Sequence, residues 1–166
     1  MKNTTLGQLY LQELEAEFTS TKKCIERIPF NLFEYKPHEK SMSLGNLTKL
    51  VADIPRWITI SIKDSVIDFA TYSHFKPGNS EELVKHFEKN VQDAKAVLQY
   101  VTDEELEEMF YLKNNGQELL HYSKKFNVSS SINHMVHHRG QLTVYMRLND
   151  IAVPSIYGPS ADDPSF

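Results

Sequence analysis

The chain has 166 residues, a single cysteine, a formal net charge of -4 and 40% hydrophobic residues, enough for one compact domain over residues 1–166 that buries a core without disulfide or metal staples. One cysteine, Cys24, excludes an intramolecular disulfide scaffold and suits a reducing cytoplasm. The mild acidity offers no basic block for phosphates, so nucleic acid is not an expected partner. Nor is a membrane: MKNTTLGQLYLQELEAEF breaks any signal-peptide core with charges, and no segment approaches the roughly 18 apolar residues of a span.

From Thr5 to about Ile28, Leu6, Leu9, Tyr10, Leu14, Phe18, Thr21, Ile25 and Ile28 recur at helical spacing, with Glu13, Glu15, Glu17, Lys22 and Lys23 among them. The spacing predicts an amphipathic helix ending near Pro29, followed by the connector NLFEYKPHEKS. Ser41 or Ser43 then caps a second helix through SLGNLTKLVADIPRWITISIKDSVIDF, with Leu44, Leu47, Leu50, Val51, Ile54, Ile58 and Ile62 as its apolar stripe and Pro55 as a kink or interruption. After the loop TYSHFKPGNS, a serine cap and early glutamates open a third helix, with Leu83, Val84, Phe87, Val91, Ala94 and Leu98 in period.

TDEELEE reads as a short solvated helical turn. FYLKNNGQELLHYSK carries an Asn-Gly signal for a small hairpin or irregular excursion. The fourth long helix runs from about Asn127 or Ser130 to Leu148, burying Ile132, Met135, Val136, Leu142, Tyr145 and Met146, and the tail IAVPSIYGPSADDPSF is loop. Four long helices with one extended connection make an all-α four-helix bundle, whose interior is a usual place for metal ligands from facing helices.

NHMVHHRGQL, residues 133–142, is the stretch most suggestive of chemistry. His134 and His138 stand one helical turn apart and can reach one ion. A catalytic metal site normally takes three protein ligands, so a third donor must come from elsewhere. Glycine-rich phosphate loops, a nucleophile elbow, a Cys-x-x-Cys pair and a dinucleotide fingerprint are all absent.

YKPHEKSMSLGNLTKLVADIPRW together with NHMVHHRGQLTVYMRLNDIAVPSIYGPSADD resembles the DinB-like family of small four-helix-bundle metalloenzymes. The resemblance implies a divalent metal, zinc or nickel, held by one histidine of the second helix and two of the fourth. It also implies a homodimer and, by analogy with bacillithiol- and mycothiol-dependent relatives, a thiol cofactor. The two fourth-helix ligands fall on His134 and His138, which directly precedes Arg139-Gly140-Gln141. The second-helix ligand, five residues after the glycine of a SLGxLxxH pattern, falls on Leu50, which cannot coordinate.

Asp53, one turn further along that face, is the candidate replacement, although its side chain is short and displaced by about 4.5 Å of helix rise. His137 points to a different face and reads as a rim residue. Two functions follow as expectations. One is a metal-dependent transferase or hydrolase, with an ion on His134, His138 and Asp53 activating a thiol or water. The other is a metal-free bundle that binds a small molecule or dimerises. Arg139 reads as structural, Tyr145 as core with a satisfied hydroxyl, and Trp57 and Phe75 as packing groups. Cys24 is no nucleophile, and His38, His74, His86 and His121 read as surface.

Overall fold

The computed structural model describes residues 4–165. Helix α1 (Leu6–Glu26) opens on a reciprocal capping box: the Gln8 amide donates to the Thr5 hydroxyl, and the Thr5 amide donates to the Gln8 side chain. Leu14, Thr21 and Ile25 face inward as the spacing predicts, whereas Leu9 is half exposed. Glu17, read as part of the charged face, is buried instead.

Of the two candidate serines, Ser43 caps α2 (Leu44–Asp64), accepting from the Asn46 amide. Gly45 answers to a close approach, because a Cβ there would lie 2.6 Å from the Phe33 ring. Pro55 lies inside α2, which continues through it; in the preceding turn the Asn90 amide donates to the Ala52 carbonyl. The helix stops at Ser65, which takes a left-handed conformation at φ 59°. The chain then enters strand β1 (Val66–Asp68), whereas the apolar pattern predicts helix on to Phe69.

Helix α3 (Ser80–Leu98) is capped by Asn79, not by serine; the Ser80 hydroxyl donates instead to the Ile28 carbonyl. The short α4 (Asp103–Glu107) has its own capping box on Thr102. Strands β2 (Met109–Asn114) and β3 (Gln117–Ser123) form the Asn-Gly hairpin, with Asn115 and Gly116 both at positive φ (51° and 78°), as a type I′ turn requires. β1 joins this hairpin in parallel, Val66 opposite Tyr111, giving a sheet of order β1-β2-β3. Asp68 ties the sheet together by accepting from the amides of Ala70, Asn115 and Gly116. The molecule is therefore mostly helical, and the expected all-α class is corrected by this three-stranded sheet.

Helix α5 (Lys124–Leu148) starts before the expected Asn127 or Ser130. Two lysines at its start look solvent-facing, yet Lys124 is buried, its ammonium donating to the Ile62 carbonyl and to Glu108. Packing of α1, α2, α3 and α5 buries one cluster around Leu14, Ile54, Ile58, Phe87 and Met135. A second, around Cys24, Leu44, Leu142 and Met146, lies under the tail. Burial raises the Cys24 thiol pKa to about 11, an inert packing role. Tyr145 borders this second cluster and donates its hydroxyl to the Met42 carbonyl.

Arg139 is structural, as expected. It is 1% exposed and in close ion contact with Glu17, and it donates to the hydroxyls of Thr21 and Tyr157. Tyr157 donates in turn to Glu17, so the tail is fastened to α1 and α5. Among the described residues, no helix is long and apolar enough to cross a membrane.

Candidate functional site

His134 and His138 do come together: their Nε2 atoms lie 2.7 Å apart on one face of α5. The hydrogen-bond directions can be worked out for the neutral rings. The Gln141 Oε1 atom can only accept, so His138 donates to it from Nδ1 at 2.7 Å. The Nε2 of His138 is then an acceptor, which makes His134 the donor from its own Nε2 and leaves His134 Nδ1 with a free lone pair. The Gln141 amide nitrogen donates on to His137 Nε2 at 3.1 Å, so His137 sits at the exposed end of an ordered ladder. Burial first, then the neighbouring His138 and His137, lowers the His134 pKa and favours this neutral state.

Two imidazoles on one tetrahedral zinc would hold their nitrogens about 3.3 Å apart, given zinc–nitrogen bonds of about 2.0 Å. The pair in this chain is closer and has the spacing of a hydrogen bond. Its expected companions on α2 are otherwise engaged. Leu50 is a half-buried core residue on the wall of a cleft that also includes Asp53 and Trp57. Asp53 is buried with both carboxylate oxygens taken: Oδ1 by His86 Nε2 at 2.8 Å, and Oδ2 by the Tyr72 hydroxyl at 2.5 Å. Burial alone would raise the Asp53 pKa, but hydrogen bonds from His86 and Tyr72, with the charges of His86 and Arg56, outweigh it and lower it. Burial, then the bond to Asp53, pushes the Tyr72 hydroxyl upward. Among the described residues, no three His, Cys, Asp or Glu side chains converge to hold a metal ion. The residues present do not compose the three-ligand set that the family resemblance implies.

His86, read from sequence as a surface residue, is instead half-buried; it bonds Asp53 and stacks on Phe75 with ring centroids 4.0 Å apart. The connection between α2 and α3 thus folds back onto α2, with Tyr72 accepting from Trp57 Nε1 at 3.0 Å. Trp57 in turn packs on His134, centroids 5.4 Å apart. Tyr72 and His86 carry no spacing signal, because their meeting point on Asp53 lies 19 and 33 residues away in sequence.

Beside His134 lies a cavity of about 210 Å³. Ile67, Phe110, Leu112 and Tyr122 supply an apolar wall from the sheet, and Trp57 and Tyr72 continue it. Asn127, Ser131 and His134, successive turns of α5, line the other side. Those residues occupy positions where helical spacing would normally place apolar groups, a signal that was present in the sequence. A mostly apolar hollow with a few convergent polar groups is the usual constitution of a small-molecule site.

Comparison with known proteins agrees with this fold. A DinB-like protein from Bacillus subtilis superposes with a TM-score of 0.65 at 20% identity, over 86% of this chain and 92% of that one. A DinB-like protein from Bacillus cereus gives 0.66 at 23% identity, over 89% and 95%. No curated protein matches the chain. The model of the DinB family matches residues 1–165, and the chain belongs to the DinB family.

Proposed function

We propose that this DinB family protein binds a small organic molecule in the cavity beside His134 and does not complete the three-ligand metal centre of the family pattern. The observation that carries this reading is Leu50. An apolar side chain stands at the position of the second-helix ligand, while the nearest substitute, Asp53, is held by Tyr72 and His86. Freeing Asp53 would leave two half-buried donors, Tyr72 and His86, without their acceptor. His134, held by its hydrogen bond to His138, then joins Asn127 and Ser131 as the polar side of a mostly apolar hollow.

The second reading, a zinc- or nickel-dependent transferase or hydrolase using a thiol cofactor, is favoured by one observation, the apposition of the two Nε2 atoms. Leu50→His separates the two. If only the third donor is missing, the variant will bind zinc or nickel one to one, about a hundredfold or more tighter than the parent. A parent that already binds as tightly as the variant would contradict the proposal. A variant that gains nothing would show that His134 and His138 are not the remaining members of the set.

A further inference from the structure

Asn127 does not fit a purely structural account of α5. It is 7% exposed, it forms part of the cavity wall, and its amide nitrogen is buried without a hydrogen-bond acceptor. A buried donor left unpaired destabilises a fold, and an apolar residue at that position would avoid the cost. Asn127 sits one turn from Ser131 and two from His134, whose Nδ1 lone pair is also unused within the ladder. Facing them is a wall of ring and branched-chain groups, Phe110, Tyr122 and Ile67 among them. One side of the hollow therefore asks for a flat apolar surface and the other for hydrogen-bonding atoms.

We infer that the cavity takes a small aromatic molecule bearing a carbonyl group, its ring against Trp57 and the sheet and its carbonyl oxygen on the Asn127 amide. This inference rests on the reading of the cavity as a small-molecule site and adds the ligand class. The volume of about 210 Å³ suits one substituted ring better than an extended cofactor. The two ends of the Asn127 amide are nearly the same size, so rotation about χ2 lets the nitrogen, buried without a partner as it stands, face the cavity in exchange for the oxygen. The carbonyl then satisfies a donor that the protein leaves unpaired, which gives preference over a ligand of equal shape without the oxygen.

Acetophenone and ethylbenzene are such a pair. Binding of each to the full chain is followed by NMR, through the indole N–H of Trp57, the one tryptophan, and the side-chain amide of Asn127. Acetophenone is expected to bind roughly five-fold tighter than ethylbenzene and to shift the Asn127 amide resonances. Asn127→Leu is expected to erase the preference, keep ethylbenzene binding, and unfold at the same or a higher temperature than the parent. Equal binding of the two by the parent, with Asn127 unmoved, would overturn the carbonyl assignment while leaving the small-molecule site in place. Saturable binding of neither would overturn both. The comparison in the parent alone decides the matter if the variant does not fold.

Discussion

His134 illustrates how a single ring is set by its neighbours. The Gln141 carbonyl fixes the tautomer of His138, and His138 fixes that of His134, so the proton arrangement follows from one amide. Adding a proton to His134 removes the lone pair it offers and places a charge in a partly buried site beside Trp57. Its folded pKa is lowered from 6.5, so the unfolded chain takes up the proton first as pH falls. Its contribution to stability is complete above 6.5 and is lost as pH falls through the lowered folded value. Urea unfolding at about pH 7.5, 6.5 and 5.5 should show a decline toward acid that is shallower in His134→Gln. Identical slopes in parent and variant would mean that His134 titrates alike in both states.

At the scale of elements, the seam between α1, α5 and the tail rests on a buried ion pair. Arg139 and Glu17 have side chains 2% and 11% exposed, and the hydroxyls of Thr21 and Tyr157 complete the guanidinium's partners. Replacing Arg139 with methionine keeps most of the packing but leaves the Glu17 carboxylate buried without its counter-charge. The expected loss is about 3–5 kcal/mol in chemical denaturation. A loss below about 1 kcal/mol would mean that the pair is no more than a surface-grade contact. The sequence indicated half of this pair: Arg139 follows a histidine on a core-facing helix, but Glu17 sits among glutamates that do face solvent, and nothing local distinguishes it. Strand β1 was hidden for a similar reason. Val66 and Ile67 prolong the apolar pattern of α2, and the stop at Ser65 is made by a left-handed serine where a glycine would have announced it. The hairpin, in contrast, was legible because Asn115-Gly116 is local turn chemistry.

For the whole molecule, periodicity predicted the long helices and the position of the histidine pair, since both are repeats along one element. What could not be read was convergence. The parallel pairing of β1 with β2 closes the cavity beside His134, and residues distant in sequence, Tyr72 and His86, occupy the carboxylate proposed as a ligand. These contacts depend on how the connections fold back over the bundle, which no local spacing encodes. The same convergence underlies the proposed absence of a metal centre: His134 and His138 bond to each other, and Asp53, the candidate third donor on α2, is engaged by Tyr72 and His86. The most direct test is a calorimetric titration of tag-free, metal-stripped protein with zinc and nickel, run in parallel on His134→Ala. Weak binding that His134→Ala leaves unchanged is the expected result, whereas tight one-to-one binding abolished by His134→Ala would contradict it.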